Sequence, residues 1–101
     1  MSGSDLAARI VLRADQILIQ GPQSATAAVF LAPDHVAEFA GAPEGARLLL
    51  RALICWRACL NEAQAWRWRA VVVALRDVAL TEAPQVMTRD GRLVPDVDGR
   101  R

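Results

Sequence analysis

The chain has no lysine and no tyrosine, a single histidine, two cysteines and only 5% aromatic residues among its 101. Each shortage removes a class of function. Without lysine, the glycines near Gly41 and Gly45 cannot form a phosphate-binding loop, which needs that cation at its end. The lone histidine, His35, has no second ligand at helical spacing, so it indicates neither a metal site nor a catalytic base. Cys55 and Cys59 are too few for a disulfide scaffold, and their CxxxC spacing is not the CxxC redox motif. We read them as small hydrophobes sharing one helix face. No uninterrupted apolar run approaches the roughly 18 residues that span a bilayer. No secretory start is legible, so a cytoplasmic protein with reduced thiols is expected. A formal net charge of +1 gives little long-range attraction toward nucleic acids or membranes.

What is present is apolar and helix-forming. Hydrophobic residues make up 53%, led by alanine with leucine and valine behind it, and charged residues 23%. This is slightly more apolar than an ordinary domain, which suggests that part of the surface is covered by a partner or a second copy. Every basic residue is arginine, consistent with a GC-rich coding genome of bacterial or phage type. Charge is unevenly spread. Residues 1–43 set Arg9 and Arg13 against Asp5, Asp15, Asp34 and Glu38, whereas residues 44–80 set six arginines against Glu44, Glu62 and Asp77.

Taken in order, Ser4 reads as the cap of an amphipathic helix over residues 5–20. Leu6, Ile10, Ala14 and Ile17 recur at helical spacing, and Gly21-Pro22 ends the run. Residues 17–32 admit a helix capped by Ser24 or a strand pair turning at Gly21-Pro22; alanine content favours the helix. Asp34 reads as the cap of a short helix that turns Val36 and Phe39 inward.

The stretch Glu44–Leu80 holds all three tryptophans and both cysteines, with no proline. Its first half puts Leu49, Leu53, Trp56 and Leu60 on one stripe; its second half puts Trp68, Val71, Leu75 and Val78 on another. Asn61 followed by Gln64 has the form of a capping box, so two helices are expected to meet there. One helix of that length would run about 55 Å. Beyond Leu80, Thr81 to Pro84 ends the helix. The Asp90-Gly91 pair suits a hairpin turn of type I′, but the density of Asp and Gly near the chain end favours an extended tail.

The distinctive local feature is Trp56-Arg57 followed by Trp66-Arg67-Trp68-Arg69. On a helix, Trp66 and Trp68 point about 200° apart and cannot form one platform. Trp56 and Trp68 are read as core, and Trp66 as exposed beside Glu62, Arg69 and Arg76. Exposed tryptophan framed by arginine is the composition of an interface anchor.

These readings predict one all-α domain over residues 1–101, with four or five helices, a helical core over 4–82 and a tail over 83–101. The amphipathic N-terminal helix is expected to pack on the C-terminal αα pair. The expected function is non-enzymatic protein–protein interaction through a helical apolar face with an exposed Trp/Arg patch, as an adaptor, regulator or assembly subunit that forms homo-oligomers. The expected contact residues are Trp66, Arg69, Arg76, Arg47 and Arg51. No cofactor, metal or membrane contact is expected, and Asp96 and Asp98 in the tail do not suggest a catalytic pair. A nucleic-acid-binding regulator using Arg47, Arg51, Arg69 and Arg76, with Arg100 and Arg101, is the first alternative. A thiol enzyme or redox switch at Cys55 and Cys59 is the second.

Overall fold

The computed structural model of the chain describes residues 2–97; Asp98, Arg100 and Arg101 lie outside them. Among the described residues there are five helices followed by a two-stranded hairpin, the all-α architecture expected.

Helix α1 (Gly3–Gln20) begins two residues earlier than the sequence reading placed it. Ser2, not Ser4, is the cap: its hydroxyl accepts from the Asp5 N–H at 3.2 Å, while the Asp5 carboxylate accepts from the Ser2 N–H at 3.4 Å. This reciprocal box satisfies donors on both sides of the helix start, which Ser4 could not do alone. The inner stripe of Ala7, Ile10, Val11, Ala14 and Ile17 is fully buried. Ile17–Gln20 therefore belong to α1, and α2 (Ala25–Phe30) follows with Ser24 accepting from the Ala27 N–H. The helical alternative for residues 17–32 holds. Helix α3 (Pro33–Ala37) starts on Pro33 at its first position, with Asp34 inside the first turn and not at the cap. Proline lacks the N–H that would be orphaned there, and its fixed φ suits a helix start. Phe39, just beyond, is buried with its ring 5.4 Å from that of Phe30.

The long C-terminal stretch is two helices, α4 (Glu44–Ala58) and α5 (Glu62–Thr81). Cys59 turns extended after α4, and the Asn61 side chain accepts from the Gln64 N–H at 2.9 Å to start α5. Because α4 stops at Ala58, Leu60 leaves the apolar stripe assigned to it and is 97% exposed. Helix α1 packs on both members of the pair, as expected, and the whole extends 42 Å in its longest direction.

The ends of the pair are tied to other elements. Pro43 offers no side-chain cap to α4, and the Glu82 carboxylate just past α5 takes that role. It accepts from the N–H groups of Gly45 at 2.9 Å and Ala46 at 2.8 Å. A negative charge at a helix start is favourable both as acceptor and against the helix dipole. At the other end, Arg57 donates to the Pro22 carbonyl while its own carbonyl accepts from Gln23.

Of the two readings of the tail, the hairpin holds and the extended one does not: β1 (Gln85–Met87) pairs antiparallel with β2 (Leu93–Pro95). Pro95 and Asp96 are buried, and the Asp96 N–H donates to the Pro84 carbonyl. Nor is the turn type I′, which needs positive φ at both central residues. Only Gly91 has it, at 84°, closing a three-residue loop of Arg89, Asp90 and Gly91. Thr88 and Arg92 pair at its base.

Candidate interaction surface

Of the five expected contact residues, the fold brings Trp66 and Arg69 together at one hollow and Arg47 and Arg51 at a separate groove. Trp66 is 68% exposed, and the Arg69 guanidinium lies 5.9 Å from its ring centroid. With Trp56, Glu62 and Ala65 they line a shallow hollow of about 180 Å³. Trp56 is buried and Trp68 half-buried against the core, so the three tryptophans separate as expected.

Arg76 is a correction. It was expected on the solvent side of α5, but its side chain is only 17% exposed and faces α1. Its Nε and terminal nitrogen donate to the two oxygens of Asp15 at 2.8 and 3.0 Å. The bidentate bonds that it donates to Asp15 raise the pKa of the guanidinium above its ordinary value despite partial burial, so it stays charged. Arg76 fastens α5 to α1.

Arg47 and Arg51 lie elsewhere. They are exposed on α4, on the side opposite Trp56 at 100° per residue. There they border a groove of about 460 Å³ with Val36, Phe39, Leu48 and Ile54. A further groove of about 710 Å³ between α1 and the α2–α3 segment is edged by Arg9, Arg13, Gln16, Gln20 and His35. The Arg9 guanidinium there sits 5.1 Å from the Phe39 ring. Cys55 and Cys59 are free thiols, half-buried, with the Cys59 thiol donating to the Cys55 carbonyl at 3.2 Å. Among the described residues no three His, Cys, Asp or Glu side chains gather as a metal site. None of the described helices is long and apolar enough to cross a membrane.

What sequence reasoning did not find is which side of α5 faces outward. Of its 20 residues only Val72, Ala79 and Leu80 are buried. The expected stripe of Trp68, Val71, Leu75 and Val78 is rotated by about 80° at 100° per residue. Trp68 and Leu75 stay against the core, but Val71 and Val78 are exposed. The cause is that α5 carries apolar side chains all round, so periodicity alone does not choose its inner side. The Arg76–Asp15 pair and the small Ala79 choose it instead. Outward face Ala63, Trp66, Ala70, Val71, Val73, Ala74 and Val78, interrupted only by Arg67, Asp77 and polar ends. The signal was legible in one respect: a helix apolar on every side is ordinarily covered on every side.

Comparison with known protein families, with characterised proteins and with solved structures finds no match to this chain.

Proposed function

We propose that the protein is a non-enzymatic interaction module, an adaptor, regulator or assembly subunit, that binds protein through the outer face of α5. The observation that carries this reading is the 20-residue helix with three buried residues and a wide apolar outer side. Leaving such a face in water forgoes about 25 cal/mol for each Å² that a partner would cover. Trp66 supplies the large, stiff anchor typical of interface centres, and Arg69 stacked on it supplies a polar rim.

The nucleic-acid reading draws less support. Its four arginines do not share a face, because Arg76 turns inward to Asp15 and Arg47 and Arg51 lie across α4 from the Trp66 hollow. Phosphate binding needs several cations along one track. The thiol reading rests on two free cysteines, and among the described residues no three His, Cys, Asp or Glu side chains gather as a metal site.

The test is a double change on the outer face, Val73→Glu with Val78→Glu. Both positions are exposed, so helical circular dichroism is expected to be unchanged. Complexes of the wild-type chain, with itself or with protein captured from cell extract, are expected to be lost. Complexes that survive the double change intact would overturn the proposal.

A further inference from the structure

Resting on that reading, we infer that the outer face of α5 is built to meet a second copy of itself, antiparallel, about a twofold axis level with Val72. Residues Ala63, Arg67, Ala70, Ala74, Asp77 and Thr81 are all exposed. They follow one another at intervals of four, three, four, three and four, the spacing of a coiled-coil seam. Val72 is buried on the opposite side, so the seam and the packing on α1 and α4 do not compete.

The seam is self-complementary in one orientation. With the axis level with Val72, Ala70 stands opposite Ala74 of the partner subunit, and Ala63 opposite the partner's Thr81. The same operation places Arg67 opposite the partner's Asp77, and it does so twice because the axis relates the two pairs. Every layer then joins one seam position to the other kind, as antiparallel helices do. A twofold interface must be complementary to itself, and this order of residues meets that condition in charge as well as size. A parallel pair in register would set Arg67 on Arg67 and Asp77 on Asp77, with like charges facing.

The centre is small and the flanks are apolar. Alanines at the two layers beside the axis allow the helices to approach closely, since the distance between axes is set by the side chains at the contact. Val71, Val73 and Val78 border the seam, with Trp66 toward one end level with Val78 of the partner subunit. Asp77 is free enough to serve. Its side chain is 74% exposed, and its 3.5 Å contact to Arg76 is the weaker of that arginine's two ion pairs. A helix of this length offers a strip about 30 Å by 10 Å, small for an obligate dimer. Reversible pairing in the micromolar range matches such a strip.

The experiment is sedimentation equilibrium of the full chain between about 1 and 300 µM, the range that brackets micromolar association. Wild type is expected to pass from monomer to dimer. Arg67→Asp and Asp77→Arg, each alone, are expected to weaken pairing roughly tenfold by facing like charges twice. The double swap, Arg67→Asp with Asp77→Arg, is expected to restore it, and the two single variants mixed are expected to pair with each other. Both positions are exposed, and circular dichroism checks that each variant is folded. A dimer weakened by neither single change, or one the double swap leaves weak, would overturn the pairing. A wild-type chain that stays monomeric would overturn it too, while the interaction reading would still stand if Val73→Glu with Val78→Glu abolishes capture of a foreign protein. A dimer insensitive to every α5 change would sink both.

Discussion

At the scale of single residues, chemically similar side chains carry opposite roles. Trp56 is buried between the helices and Trp66 is open to solvent, although each precedes an arginine. Trp56→Ala is expected to cost about 3–5 kcal/mol of stability through the cavity it leaves. Trp66→Ala is expected to cost at most about 1 kcal/mol, the value of an exposed contact with Arg69. Urea unfolding followed by circular dichroism separates the two. Arg76 and Asp15 make the second contrast. Asp15→Ala leaves the guanidinium half-buried with only its 3.5 Å contact to Asp77, and Arg76→Ala leaves the Asp15 carboxylate half-buried without this partner, so each should lose about 2 kcal/mol. The double variant should lose scarcely more than either single, because both remove one interaction. The division of the tryptophans was legible from 100° spacing alone. The inward turn of Arg76 was not, because its partner lies on α1, and the pairing is fixed only once three helices are packed together.

At the scale of elements, the joint between α4 and α5 was readable because it is local chemistry: Asn61 meets the Gln64 N–H within one turn. The start of α4 at Glu44 was readable as well, but its cap was not, since the acceptor arrives from Glu82 at the far end of α5. This explains Gly45. A Cβ there would come 2.7 Å from the Glu82 carboxylate and push it off the two N–H groups it holds. Gly45→Ala is therefore expected to destabilise wild type by about 1 kcal/mol, the usual loss of a cap. In a Glu82→Ala background the same change should become neutral or stabilising, by up to about 1 kcal/mol, because alanine is the better helix former. Thermal unfolding of the four proteins reads the change of sign. The hairpin was half legible. Asp90-Gly91 marked the turn, but the burial of Pro95 and Asp96 that holds the strands down is a tertiary contact. Within it, the Thr88 hydroxyl donates to the Asp90 carboxylate and holds its pKa below the ordinary carboxylate value. The lowered pKa means that the charged form favours the folded turn. Its contribution is present above the ordinary range near 3.9 and is lost as pH falls through the lowered value. Carbon shifts of Asp90 recorded against pH should show this lowered midpoint, and Thr88→Val should return it toward normal.

At the scale of the whole molecule, one core is shared by α1, α4 and α5, and α5 contributes least of its own surface to it. Alanines at positions 7, 8, 14, 46, 52 and 79 let the three helices pack closely, which a purely aliphatic stripe would not permit. The apolar excess in the composition is thus not spent inside; much of it stands outward on α5 as Trp66, Val71, Val73 and Val78. A face of that kind couples folding to association. A second copy that binds only the folded chain adds stability in proportion to the logarithm of its concentration over the dissociation constant. The unfolding midpoint of the wild-type chain should therefore rise as its concentration is raised from well below to well above the micromolar range. Val73→Glu with Val78→Glu should remove that dependence. Because both positions are exposed, its midpoint should match that of dilute wild type, within the about 0.5 kcal/mol usual for surface substitutions. A midpoint independent of concentration in the wild type, with the same value in the variant, would mean that α5 keeps its outer face open in the isolated protein and that a different protein must cover it.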